Sequence, residues 1–131
     1  MKLVALLLLS LSLASLSCLA ADAYPNQPKL SNAHRNLMSA RRNLDRANVS
    51  GNDPSMKLLN EAVVSLNAAR KNLEDAAKNK GSHRAAAMDR IDKSKAMIEK
   101  LRQGSGSAST VVMEIDAALT DVKEAARAGR N

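Results

Sequence analysis

The segment Leu59-x-x-Ala62-x-x-x-Leu66-x-x-Ala69-x-x-x-Leu73-x-x-Ala76 is followed by the turn Lys78-Asn79-Lys80-Gly81-Ser82-His83-Arg84. Its leucines and alanines recur in steps of three and four residues, the period that lines them along one seam of an amphipathic helix. Asn79, Gly81 and Ser82 are turn and cap formers, so the turn ends this helix and starts another. Gly81 is expected to take a left-handed conformation to stop the helix, and Ser82 to cap the next one.

Working outward, the same seam appears upstream as Leu30, Ala33, Leu37, Ala40, Leu44 and Ala47. An offset of 29 residues lays Leu30 on Leu59 and Ala40-Arg41-Arg42-Asn43-Leu44 on Ala69-Arg70-Lys71-Asn72-Leu73. The first two helices therefore read as duplicates. The first is predicted over Lys29 to Asn48. The second opens at Asp53-Pro54, where Asp suits the cap and Pro the first helical position, and runs to about Asn79. Downstream, a third helix over His83 to Arg102 carries Ala87, Ile91, Ser94, Ile98 and Leu101 on its seam. After the loop Gln103-Gly104-Ser105-Gly106-Ser107, a fourth over Ala108 to Ala128 carries Val111, Ile115, Ala118, Val122 and Ala125. An offset of 24 residues places Ile91-Asp92 on Ile115-Asp116, so the second half reads as duplicated too. Four amphipathic helices joined by short loops predict an all-α, up-down-up-down four-helix bundle built from duplicated hairpin halves.

Residues 1–23 fall outside that domain. Lys2 and the apolar run Leu3 to Leu16, too short for an ordinary membrane span, precede small residues and the A-x-A pattern Ala21-Asp22-Ala23 of a cleaved signal peptide. Cleavage after Ala20 competes with cleavage after Ala23. The only cysteine, Cys18, lies in this segment, and Ser15-Leu16-Ser17 lacks the aliphatic residue usual before a lipid-modified cysteine. The mature chain would carry no thiol, which excludes disulfides, thiolate metal sites and cysteine nucleophiles. Tyr24-Pro25-Asn26-Gln27-Pro28 is predicted as an extended leader, and 29–131 as the bundle. The expected location is outside the cytoplasm, periplasmic or secreted in a bacterium, with no membrane span in the mature protein.

The full chain has a net charge of +7, and removing residues 1–23 takes away Lys2 and Asp22 and leaves that value unchanged. Such basic proteins meet polyanions, anionic head groups or acidic envelope polymers. Tyr24 is the only aromatic residue, so base-stacking platforms are missing, which counts against nucleic acid. Alternating helix directions gather Arg35, Lys78, Lys80, His83, Arg84, Arg127 and Arg130 at one end. His83 and Arg84 occupy a first helical turn, where the dipole disfavours cations. A bound phosphate or carboxylate would relieve that conflict, so Lys80, Ser82, His83 and Arg84 form the candidate anion site.

A metal site is the alternative. His34 and His83 are brought to the same end, but no H-x-x-x-H or H-E-x-x-H spacing occurs, and Met38, Met56, Met88, Met97 and Met113 are not spaced as a copper cluster. No cofactor is implied. Enzymatic activity has little support: Glu74 and Asp75 are consecutive and diverge on a helix, and no G-x-S-x-G or S-x-x-K element has a plausible partner. A structural or self-associating role is the third reading, resting on Ala85-Ala86 and Ala125-Ala126 as a second small-residue face.

The run Ala69-Arg70-x-x-Leu73-x-x-Ala76, the turn Asn79-Lys80-Gly81-Ser82-His83-Arg84 and Ile91-Asp92 together resemble a group of small, exported bacterial helical-hairpin proteins. Those carry an A-R-x-x-L-x-x-A element, a K-G-G-H-R turn and an I-D-x-A element. The resemblance covers about Met56 to Gly104 and departs at Ser82, where a second glycine is usual. It implies an envelope protein and no particular activity. A fainter similarity is to the periplasmic small metal-binding protein, a four-helix bundle whose many histidines this chain lacks; it implies copper, nickel or zinc as the metal. The sequence-level reading is a non-enzymatic binding protein that engages an anionic ligand or envelope component through its basic end.

Overall fold

The computed structural model describes residues 23–49, 55–76 and 81–129. It contains helices α1 (Pro28–Val49), α2 (Met56–Asp75), α3 (Ser82–Arg102) and α4 (Ala108–Ala128). They form a ring in which α1 packs on α2 and α4, and α3 packs on α2 and α4. Neighbours run antiparallel: Lys29 at the start of α1 pairs with Asp75 at the end of α2, and Arg102 at the end of α3 reaches Asn60 near the start of α2. The architecture is the expected up-down-up-down four-helix bundle. No helix among the described residues is long and apolar enough to cross a membrane.

The seams face inward as their period requires. Leu30, Leu37 and Leu44 of α1 and Leu59, Leu66 and Leu73 of α2 are fully buried, with alanines between them that have almost no exposed surface. Alanine lets the helix axes approach, and leucine fills the space beside it. On the other side of the ring Ile91, Ile98, Ile115, Val111 and Val122 complete the core. Ser94, buried on the α3 seam, donates its hydroxyl to the Arg90 carbonyl at 2.8 Å, so no polar atom is stranded there. Ala125 and Ala126 are both fully buried, which corrects their expected place on an exposed small-residue face; Ala85 is exposed and Ala86 half-buried. The last turn of α4 presents two adjacent alanines because it closes against α1 and α3 together.

Helix ends follow local chemistry less closely than helix faces do. α4 begins as expected, with the Ser107 side chain accepting from the Thr110 amide at 3.3 Å. Gly104 and Gly106 have φ of 82° and 88°, the left-handed region that glycine enters without a Cβ penalty. Gly81, by contrast, is extended at φ −71° and ψ 157°, and it occupies the cap position that Ser82 was expected to take. α2 ends at Asp75 rather than near Asn79. There the Arg84 guanidinium donates from Nη1 to the Leu73 carbonyl at 2.8 Å and satisfies an acceptor of the final turn. The expected Asp53-Pro54 start of the second helix lies outside the described residues, as do residues 1–22 of the segment expected to be a signal peptide. The leader is a turn and not an extended strand. The Gln27 amide donates to the Tyr24 carbonyl at 2.9 Å, and buried Ser31 holds both sides of Tyr24, accepting from its amide at 2.8 Å and donating to its carbonyl at 2.7 Å.

The duplication extends to the ion pairs. Arg41 Nε lies 2.6 Å from Asp116 of α4, and Arg41 Nη1 lies 3.1 Å from Asp45. At the positions 29 residues on, Arg70 Nε lies 2.9 Å from Asp92 of α3, and Arg70 Nη1 pairs with Glu74. Asp92 and Asp116 are themselves related by the offset of 24. Exchanging α1 with α2 and α4 with α3 therefore maps one set of pairs onto the other. Hydrogen bonding to the partner aspartate raises each arginine pKa further above its ordinary value. Exposed pairs of this kind add little net stability, but they fix which helices are neighbours and in what register.

Truncating the centre of this seam tests the packing. Leu66→Ala should lower unfolding free energy by about 2 to 5 kcal/mol, read from urea denaturation, whereas a variant with an unchanged midpoint would be incompatible with Leu66 lying in the core.

Candidate functional site

The end of the bundle expected to be a positive pole is assembled by the fold. Gln27 Nε2 donates to the Ala126 carbonyl at 2.8 Å, bringing the start of α1 to the end of α4, and His83 on the first turn of α3 faces Asp121 of α4 at 3.8 Å. The cations collected there are met by carboxylates. Asp75 lies 3.9 Å from Lys29 and 4.0 Å from Lys71, and Arg127 is 3.5 Å from Glu124. Asp121, with a side chain only 15% exposed, also accepts from Arg90 Nε at 2.7 Å. Lys78 and Arg130 lie outside the described residues.

Of the four candidate anion ligands, Lys80 lies outside the described residues. Ser82 and His83 are exposed on the first turn of α3, where the Arg84 amide already donates to the Gly81 carbonyl at 3.2 Å. Arg84 shares the turn, but its side chain runs back along α2. Besides the Leu73 carbonyl it approaches Met88 Sδ at 3.6 Å, and its Nε is buried without a partner. The fold thus brings Ser82 and His83 together and directs the Arg84 guanidinium to the neighbouring helix.

The two histidines have separate surroundings. His34 is half-buried, with its ring edge-on to Tyr24 at a centroid distance of 5.8 Å and an interplanar angle of 86°. Its Nδ1 is buried without a hydrogen-bond partner, and burial lowers its pKa from the ordinary 6.5. The duplicate of His34 is Val63, an apolar residue packed against the core, so His34 is a polar wedge in an apolar position. Among the described residues no three histidine, cysteine, aspartate or glutamate side chains come together in a way that could hold a metal ion. Met88 and Met97 pack on the core, while Met38, Met56 and Met113 are exposed.

Two features escaped the reading of the sequence. One is Ser31, whose role needs the Tyr24 turn to be known. The other is a groove on the outer side of the α1/α2 pair, lined by Ser39, Asn43, Lys57, Asn60, Glu61, Val64 and Ser65. Its trace in the sequence is the set of short polar residues at helical spacing beside both seams, Ser39 with Asn43 and Glu61 with Ser65. No protein-family model, curated protein or solved structure matches the chain.

The fold prefers neutral His34, so protonation favours the unfolded chain. Stability should be complete above the unfolded pKa near 6.5 and decline as pH falls through it toward the lowered folded value. His34→Val, which installs the residue of the duplicate, should flatten this acid limb. Urea midpoints between about pH 7.5 and about pH 5 measure it, and an unaltered slope in the variant would assign the acid sensitivity to other groups.

Proposed function

We propose that the protein is an exported, non-catalytic binding protein that engages an anionic ligand or envelope polymer through exposed cations. The observation that carries this reading is an imbalance of pairing. Arg42, Arg46, Lys57, Lys93, Lys100 and Lys123 are exposed and have no carboxylate within 4.0 Å among the described residues. Unpaired cations keep their full field in solvent, and a polyanion gains most where no internal carboxylate must be displaced. A second supporting feature is that no helix has an acidic residue in its first turn, where a carboxylate would offset the positive end of the dipole. At the expected basic end, Ser82 and His83 are the described residues best placed for a small anion, with the first-turn amides of α3 beside them. Export is supported by the residue pattern of positions 1–23.

Binding to a heparin column and to fluorescent polyphosphate tests the reading. Retention should be strong at low salt and weaken steeply as salt rises past a Debye length of about 10 Å at 0.1 M. Absence of binding at low salt, or binding insensitive to salt, would overturn it.

A further inference from the structure

α1 and α2 are duplicates, yet the two ends of their shared outer groove have diverged in shape and in charge. Toward the end of α2 the two helices are bridged across the groove, where Asn72 Nδ2 donates to Asn36 Oδ1 at 2.9 Å. A carboxylate sits among the cations there, with Asp75 between Lys71 and Lys29. The equivalent positions at the other end are Asn43 for Asn72, Ser65 for Asn36, Arg42 for Lys71 and Arg46 for Asp75. Serine is too short to span to Asn43 as Asn36 spans to Asn72, and this end stays open. Arginine in place of the aspartate reverses a charge, leaving Arg42 and Arg46 one helical turn apart with no carboxylate partner among the described residues. Across the groove Lys57 sits in the first turn of α2, where the dipole disfavours a cation and no acidic residue shares the turn. Glu61 is the one carboxylate in the lining, and it makes no ion pair with Lys57.

The open end is therefore a strip lined by the amides and hydroxyls of Ser39, Asn43 and Ser65, by Asn60, which accepts from Arg102, and by exposed Val64. Lys57 is in the lining, and Arg42 and Arg46 lie beside it by helical spacing. Ser39 to Arg46 covers seven residues of rise, about 10 Å along α1, long enough for an extended chain to lie in the strip. A lipid surface or a folded protein would meet the rim cations but make less use of the polar residues between them. A polyhydroxylated chain with spaced negative charges uses both, placing its hydroxyls on those polar residues and its anionic groups against Arg42, Arg46 and Lys57. We propose that the α1/α2 groove is the seat of an acidic polysaccharide. This names the partner and the place for the polyanion binding proposed above, and it rests on that reading.

The test is a proton-nitrogen correlation titration of the labelled protein with oligogalacturonate and, separately, with inorganic polyphosphate. Oligogalacturonate should shift the amides of Ser39, Asn43, Lys57 and Asn60. Arg46→Asp, which installs the residue of the duplicate, should weaken binding by about tenfold or more. Ser65→Asn, which closes the groove by the same device as Asn36, should also weaken it. Both variants should unfold at the temperature of the parent, since neither position is in the core. His83→Ala, at the other end of the bundle, should leave the affinity unchanged. Oligogalacturonate shifts confined to Ser82 to Arg84, with Arg46→Asp silent, would overturn the groove while leaving polyanion binding intact. Groove shifts with polyphosphate but none with oligogalacturonate would overturn the polysaccharide assignment. Silence with both probes would remove the groove and the wider polyanion reading together.

Discussion

Close approach of α1 and α2, permitted by alanine at alternate seam positions, is the constraint from which the rest of the bundle follows. Ala33, Ala40, Ala62 and Ala69 have no exposed surface, and the leucines between them fill the interface completely. Helices held so near one another put the polar side chains of α1 and α2 on the outer edges of the pair. The groove between α1 and α2 is such an edge, shallow because the axes are close and polar because Ser39, Asn43, Asn60 and Ser65 stand just outside the seam.

The paired arginines show how the duplication has been used. Arg41 and Arg70 each tie the α1/α2 pair to the opposite hairpin through equivalent aspartates. The positions one step further out differ between the two halves within the same fold. Position 46 became arginine where position 75 is aspartate, and position 65 became serine where position 36 is asparagine. His34 in place of Val63 is a third divergence, and it introduced a buried nitrogen without a partner into an otherwise apolar interface. Symmetry in the core and asymmetry on the surface are thus two outcomes of one repeat.

Much of the fold was legible from period alone. Every seam residue of α1, α3 and α4, and each from Leu59 to Leu73 in α2, is buried, and α4 has the bounds its apolar spacing implies. What the sequence hid depends on partners distant in the chain. Gly81 is extended because it begins α3, and α2 finishes early where Arg84 reaches back to the Leu73 carbonyl. Arg84 could be placed on the first turn of a helix by spacing, but the direction of its guanidinium is decided by which carbonyls lie within reach. The leader was misread for a similar reason: proline favours extension in isolation, and Ser31, one residue beyond the seam, overrides it by binding Tyr24 on both sides. Charge counting likewise located an excess of cations without revealing which of them carboxylates would cover.

The most extensive helix contacts lie between α1 and α2 and between α3 and α4, partners joined directly in the chain. Such contacts close short loops, so little chain entropy is lost before the first apolar surfaces meet. Low contact order of this kind belongs to proteins that fold in microseconds to milliseconds. An unfolded chain would regain its structure quickly, one hairpin at a time, and would expose its leucine seams to neighbouring molecules only briefly.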